Sequence, residues 1–188
     1  MVQKKQLPVC ICTFLFLLSG CVPQWTVIEK PEIKLADASY TVKAPVGWKQ
    51  LTGIGKKTFI TNEGPALQVI EVQEVEREKA FESLKIEIKE NVLISELADY
   101  FVADFKTQLS GIQVTHNKTI ATTIDNKQSF KVFLEFTNSE GLVFDVIAYG
   151  LMHNDIIYTL YYQAPGIYYF ERDRQLFEDV VASFIINN

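Results

Sequence analysis

Cysteine is absent from most of this chain. All three cysteines, Cys10, Cys12 and Cys21, lie within the first 21 of the 188 residues. The part after Cys21 therefore has no disulfide bond, no cysteine-ligated zinc and no cysteine nucleophile. It has to be stabilised by its hydrophobic core alone, for which the chain supplies 13 phenylalanines and 8 tyrosines.

Histidine is also scarce, and the motifs of common catalytic sites are missing. The chain has two histidines, His116 and His153, which lie far apart and lack the close ligand spacing of a zinc site. It contains no G-x-S-x-G, no P-loop and no G-x-G-x-x-G. The segment 53–56 is too short to cradle a phosphate and predicts a hairpin. These absences favour a protein that is not an enzyme and that has no metal and no cofactor.

Positive charge is in deficit over the folded part. Removing the first 20 residues takes away two lysines and no acidic residue, which leaves 16 basic and 23 acidic residues and a net charge of −7. Domains that bind nucleic acid usually present a basic face. The sequence therefore predicts no nucleic-acid partner, and it predicts that an anionic lipid surface repels the domain.

A long hydrophobic run is missing too. The apolar stretch at residues 7–18 falls short of the roughly 20 residues that a helix needs to span a bilayer. Two lysines precede it and small residues end it, which is typical of a secretory signal peptide. The next residues, Leu18-Ser19-Gly20-Cys21, resemble the lipobox of bacterial lipoproteins. The resemblance implies that the Cys21 thiol receives a diacylglyceryl group, that the chain is cut before Cys21, and that the new amino terminus is acylated.

Two other interpretations of the same residues remain open: an ordinary secretory signal, or an uncleaved short anchor, with Cys21 incidental in both. If the lipobox interpretation holds, residues 1–20 are the signal peptide, 21–38 a lipid-anchored tether, and 39–188 a single globular domain. The protein would then lie in the cell envelope, held to the membrane by the lipid on Cys21. In Gram-negative lipoproteins an aspartate after the cysteine commonly causes retention at the inner membrane. Val22 stands there, so we expect the outer membrane, with the domain facing the periplasm.

Hydrophobic periodicity predicts the elements of an α+β fold. A stripe of apolar residues at helical spacing predicts one helix from about residue 93 to 109, with Ser95 as N-cap and Gly111 as its stop, and a second from about 168 to 184. The charged segment 74–90 is expected to be solvated and without site chemistry. Alternation of apolar and polar residues predicts strands at 40–44, 57–61, 66–75, 112–122, 130–137, 142–152 and 156–163.

The order of these elements resembles that of the PsbP-like α/β/α sandwich. The late segment GLVFDVIAYGLMHNDIIYTLYYQAP and the closing FEDVVASFII carry the resemblance. It implies an antiparallel β-sheet packed with two main helices, and it implies no catalytic residue set. Proteins with this fold include docking and assembly subunits and uncharacterised bacterial lipoproteins.

A cluster of tyrosines is the one feature that suggests a binding surface. Tyrosine combines a large contact area with a polar tip and is enriched at interfaces, but strand alternation requires part of the cluster to face a core. The cluster comprises Tyr158, Tyr161, Tyr162, Tyr168 and Tyr169. An acidic residue in an apolar strand, Asp145, is interpreted as an outward or edge residue that pairs with Lys131 across a hairpin, and an active-site acid is the alternative.

Together these features predict a non-catalytic, membrane-anchored envelope lipoprotein that acts as a protein-interaction or assembly module with an envelope protein as partner. The alternative is a module that binds a small apolar ligand or a lipid in a pocket between helix and sheet. A large cavity lined by aromatic side chains would favour the second function, and a flat exposed aromatic patch would favour the first.

Cys21→Ala should abolish incorporation of radiolabelled palmitate and leave an unprocessed precursor, because the thiol that the lipobox assigns to the lipid is gone. Cys12→Ala is the matched control and should be labelled and processed like the wild type, since Cys12 lies within the expected signal peptide. Palmitate uptake by Cys21→Ala would contradict the lipoprotein interpretation.

Overall fold

A computed structural model describes residues 24–35, 37–52 and 54–187. Helix α1 spans Ile94–Gln108 and helix α2 spans Tyr169–Ala182, and two short 3₁₀ turns lie at Arg77–Lys79 and Glu82–Leu84. The strands in this part of the chain are β1 (Gln24–Val27), β2 (Glu32–Lys34), β3 (Tyr40–Lys43), β4 (Lys49–Thr52), β5 (Lys57–Thr61), β6 (Val69–Glu76), β7 (Val114–Ile124), β8 (Lys127–Thr137), β9 (Val143–His153), β10 (Ile156–Pro165) and β11 (Ile185–Ile186).

One large antiparallel sheet forms the middle layer. Its eight strands run in the order β1-β4-β5-β6-β10-β9-β8-β7, and a small sheet, β11-β3-β2, lies beside it. The strands from β7 to β10 are neighbours in sequence and in space, as hairpin connections require. β6 pairs with β10, which joins the first half of the chain to the second. The predicted α+β class, an antiparallel sheet packed with two main helices, is confirmed.

Each helix covers one face of the large sheet. α2 packs on β9 and β10, and its face of the sheet carries a core that includes Tyr158, Tyr162 and Phe177. α1 packs on β7, β8 and β9, over a second core that includes Phe101 and Phe130. Since side chains alternate along a strand, successive residues of β9 and β10 enter opposite cores. The hydrophobic effect therefore drives the packing of both layers from one set of strands.

The predicted tether, residues 21–38, is wrong from Gln24 onward. β1 pairs with β4, β2 pairs with β3, and Ile28 and Ile33 are buried in the core on the α2 side. These strands are short, with three or four residues each, so the segment has too little periodicity to reveal them in sequence. The signal peptide and Cys21 lie outside the described residues.

Two local predictions are also corrected. Leu93, not Ser95, is the N-cap of α1, and its N–H donates a 3.0 Å hydrogen bond to the carboxylate of Glu96. Asp145 lies across the strand pair from Glu135 rather than from Lys131. The side chain of Lys131 instead reaches α2, where Nζ lies 2.7 Å from Oε1 of Glu178. A search of the described residues finds neither helix long and apolar enough to cross a membrane.

Phe177→Ala should lower the free energy of unfolding by about 3–5 kcal/mol, because its ring is fully buried against Tyr149 and Tyr162. Tyr168→Ala should cost much less, because the Tyr168 side chain is 59% exposed. Thermal and denaturant unfolding of both variants measures the difference. Equal large losses would contradict the assignment of Tyr168 to the surface.

Candidate functional site: a cavity between helix α1 and the sheet

Helix α1 covers its face of the large sheet only in part. It packs on β7, β8 and β9, so the same face of β10, β6 and β5 is left without a helix. A cavity of about 570 Å³ lies there, between the helix, these three strands and residues 79–83. Its volume is in the usual range of small-molecule sites.

The floor of the cavity consists of paired residues from β5, β6 and β10. Because side chains alternate along a strand, these residues lie on one face of the sheet. They form three rows across the strands, of which the first is aromatic and acidic and the last is apolar. Gln73 and Thr159 in the middle row are joined by a 3.0 Å hydrogen bond from Nε2 to Oγ1. The rows are Phe59–Glu71–Tyr161, Lys57–Gln73–Thr159, and Val75–Ile157.

One wall comes from α1 and the opposite wall from the segment after β6. Residues at helical spacing on α1 face the cavity: Phe101, Asp104, Phe105 and Gln108. Residues 79–83 supply the other wall, with Phe81 in a left-handed backbone conformation at φ 55°. This segment belongs to the stretch that was predicted to be solvated, and most of that stretch is exposed, although Ala80 and Ile88 are buried.

Glu71 is the central charged group of the floor. The residue is only 5% exposed, and its Oε2 accepts a 2.6 Å hydrogen bond from the hydroxyl of Tyr161. Its Oε1 lies 3.6 Å from Nζ of Lys57. Burial raises the pKa of Glu71, and the hydrogen bond from Tyr161 and the charge of Lys57 oppose that rise in part. Burial beside the Glu71 carboxylate likewise raises the pKa of Tyr161.

Asp104 is the second buried acid of the cavity, and it is 9% exposed. Its Oδ1 accepts a hydrogen bond from the hydroxyl of Ser83, and its Oδ2 accepts a 2.6 Å hydrogen bond from Nε2 of Gln108. The first bond fastens the wall at residues 79–83 to α1, and the second, within α1, holds the Asp104 carboxylate in place. The cavity is thus a built structure with fixed acceptors, rather than a gap between loosely packed elements.

The predicted tyrosine surface does not exist as one surface. Tyr158 and Tyr162 are buried in the core on the α2 side, and the hydroxyl of Tyr162 donates a 2.9 Å hydrogen bond to the backbone oxygen of Tyr169. Tyr161 points to the opposite face and lines the cavity. Tyr168 is exposed, whereas Tyr169 is half-buried. Tyr158 and Tyr162 are core residues because strand alternation turns both side chains toward α2.

A small exposed tip remains where β10 joins α2. Ile167 is 88% exposed and Tyr168 lies next to it. The guanidinium of Arg172 lies over both adjacent rings, 5.1 Å from the centroid of Tyr168 and 5.0 Å from that of Tyr169. Salt bridges of Arg172 to Glu63 at 2.9 Å and to Asp173 at 2.6 Å hold the tip in place.

Sequence reasoning missed the main residues of the cavity. Glu71 and Gln73 were assigned to a strand without a role, and Asp104 could not be paired with another carboxylate from sequence. A signal was present in β6 and β10, where Glu71, Gln73 and Thr159 are polar residues on one face of strands with many apolar residues. No group of three or more His, Cys, Asp or Glu in the described ranges could hold a metal ion.

Comparison with solved structures finds the same fold in distant proteins. The cyanobacterial PsbP protein, CyanoP, from Synechocystis sp. PCC 6803 has a TM-score of 0.62 at 12% identity, over 85% of this chain and 94% of that chain. The Ran-binding protein Mog1p of Saccharomyces cerevisiae has a TM-score of 0.58 at 12% identity, over 85% and 96%. A Pseudomonas aeruginosa protein of unknown function, PA94, has a TM-score of 0.51 at 8% identity, over 85% and 99%.

These similarities define the class of protein by fold and not by activity. The chain has the α/β/α sandwich of the PsbP and Mog1 proteins, as its element order predicted. No protein-family model matches the sequence. No curated protein matches it either.

The two buried glutamates of β6 should affect stability with opposite dependence on pH. Because the pKa of Glu71 is raised, the folded chain keeps a proton on this residue at a pH where the unfolded chain has already lost it. The free energy of unfolding of the wild type should therefore fall relative to that of Glu71→Gln as the pH rises from about 4.3 through the raised pKa. Burial alone would raise the pKa of Glu74 as well, but hydrogen bonds from Lys56 and Ser39 lower it overall. The wild type should therefore lose stability relative to Glu74→Gln as the pH falls from about 4.3 through the lowered pKa.

Urea unfolding of the three proteins across this pH range measures both differences. Each variant is the control for the other, because both glutamates lie on the same strand and both are buried. Difference curves that slope in the same direction would contradict the assignment.

Proposed function

We propose that this protein is a non-catalytic binding module of the cell envelope, anchored by lipid on Cys21, which holds a small amphipathic ligand in the cavity between α1 and the sheet. The single observation that carries the proposal is the cavity itself, about 570 Å³ in volume and lined by five aromatic rings and two buried carboxylates. A protein that needed only a stable core would gain by filling this space with apolar side chains.

The anchor is proposed from sequence and is consistent with the start of the fold. β1 begins at Gln24, so a lipid on Cys21 would leave three residues, about 10 Å of extended chain, between lipid and sheet. Trp25 on β1 is exposed, and tryptophan is favoured at membrane interfaces because it combines an apolar ring with a polar N–H. The module would then lie close to the membrane rather than at the end of a long tether, held by its acyl chains against the repulsion between its net charge of −7 and an anionic lipid surface.

The outer membrane is the proposed location in a Gram-negative host, because Val22 follows the cysteine. Density-gradient fractionation of membranes tests this placement. Sedimentation of the wild type with inner-membrane markers would contradict it.

Docking of an envelope protein is the second candidate function. Ile167 and Tyr168 support it, because a large exposed apolar side chain next to a tyrosine and an arginine has the composition of an interaction hot spot. Mog1p, a Ran-binding protein, shares the fold. The tip is small, however, and four of the five tyrosines that suggested it are buried or partly buried, so the cavity is the better-supported site.

Native mass spectrometry of the lipidated chain, isolated from its membranes in mild detergent, tests the proposal. We expect a small-molecule adduct on the wild type and no adduct on Gln73→Trp, because an indole on the middle row of the floor fills the cavity. Gln175→Trp is the matched control. It makes the same exchange on the exposed side of α2 and should retain the adduct.

Absence of an adduct on the wild type, or the same adduct on Gln73→Trp, would contradict the cavity function. In that case a photo-crosslinker at position 168 provides a second measurement. Capture of one envelope protein that also binds to Gln73→Trp would replace ligand binding by protein docking as the function.

A further inference from the structure

Charge is distributed unevenly over the cavity. Its two buried acids, Glu71 and Asp104, lie in the floor and in the helix wall. The side chains of the two lysines that contribute to the lining, Lys57 and Lys79, are 47% and 65% exposed. The buried charge of the cavity is therefore negative and lies inside, where electrostatic interactions are strong, whereas the two lysines and a third acid of the lining, Glu82, are exposed, where solvent weakens their charge.

One acceptor on Glu71 remains open toward the cavity. Oε2 is occupied by the hydroxyl of Tyr161. The nearest cation to Oε1 among the described residues is Nζ of Lys57 at 3.6 Å, which is longer than a normal N–H···O hydrogen bond. A buried carboxylate gains most from a donor that carries positive charge, because charge-assisted hydrogen bonds are about twice as strong as neutral ones.

Aromatic rings surround this acceptor. Phe59 and Tyr161 flank Glu71 in the same row of the floor, and Phe105 on α1 lies edge-to-face with Tyr161 at 6.4 Å between ring centroids. The faces of such rings carry negative partial charge and attract cations, and their area also packs against an apolar body. Carboxylate and rings therefore favour the same kind of ligand.

We propose that the ligand of this cavity is an organic amine, with its ammonium group on Oε1 of Glu71 and its apolar body against Phe59, Phe101 and Phe105. This inference rests on the proposed function and names the ligand class for the same site. Lys57, at 3.6 Å, is the nearest cation to this position when the cavity is empty, and it moves further into solvent when the amine enters.

The inference predicts opposite effects for two substitutions. Glu71→Gln removes the charge but keeps an acceptor for Tyr161, and should weaken amine binding about tenfold or more. Lys57→Gln removes the competing cation and should strengthen it. Loss of fold would weaken binding in both variants, so the opposite signs separate recognition from structural damage.

A second glutamate provides the matched control. Glu178 on α2 also accepts a hydrogen bond from a tyrosine, Tyr149, and also pairs with a lysine, Lys131. It lies on the other face of the sheet, away from the cavity. Glu178→Gln should leave amine binding unchanged.

Isothermal titration calorimetry of the lipidated full chain in detergent micelles, with heats from empty micelles subtracted, tests the inference. The probes are phenylpropylamine, its neutral analogue phenylpropanol and its anionic analogue phenylpropionate. We expect the amine to bind at least about tenfold more tightly than either analogue, and we expect Gln73→Trp to abolish binding.

Equal or tighter binding of the alcohol or the anion, still blocked by Gln73→Trp, would overturn the amine assignment and leave the cavity function intact. Binding of no probe to a chain that still carries a cavity-dependent adduct would overturn it too. Absence of both probe binding and adduct would overturn the cavity function itself. An amine affinity that Glu71→Gln leaves unchanged would exclude Glu71 as the recognising group.

Discussion

Pairing between β6 and β10 is the constraint on which the rest of the structure depends. It joins residues 69–76 to residues 156–163 and so brings two halves of the chain into one sheet. Every contact between the β1-β4-β5 side and the β9-β8-β7 side of this sheet passes through that pair. Closing so long a loop costs conformational entropy, and the two cores on either side of the pair offset it.

The same register creates the candidate site. It sets Tyr161 opposite Glu71 and Thr159 opposite Gln73, and a shift of β6 by one residue would turn Glu71 and Gln73 toward α2. The core on that side contains Tyr158, Leu160 and Tyr162, and it could not accept a carboxylate without a partner. The apolar core on one face therefore fixes the position of the polar floor on the other.

The sequence was sufficient to predict the class of fold, both helices and the strands from β8 to β10, because these elements are long and strongly periodic. Alternation in β10 also separated Tyr161 from Tyr158 and Tyr162. The sequence could not reveal β1 and β2, because these strands have only three or four residues each and pair with different strands. The segment that contains them was therefore interpreted as a tether.

The cavity was beyond sequence reasoning for a different reason. It exists because α1 covers three strands and leaves three others open, and helix position on a sheet depends on packing between distant residues. Gly150 illustrates this. A Cβ at Gly150 would lie 2.3 Å from the ring of Phe130, and Phe130 packs at 5.7 Å against Phe101 of α1. The absence of one side chain on β9 thus helps to determine where the helix lies.

Two sets of tyrosine, glutamate and lysine on opposite faces of the sheet show what distinguishes the site from ordinary structure. In the set on the α2 face, Lys131 lies 2.7 Å from Glu178 and its Nζ also lies 4.9 Å from the ring centroid of Tyr149. All its groups are therefore satisfied by the chain itself. In the set on the α1 face, Lys57 lies 3.6 Å from Glu71 and is half exposed, although both sets border a cavity. The chain completes the first set with a short ion pair, whereas in the second the nearest cation to Oε1 of Glu71 among the described residues lies at 3.6 Å. A cationic donor from outside the chain that took up this position would stabilise the folded protein.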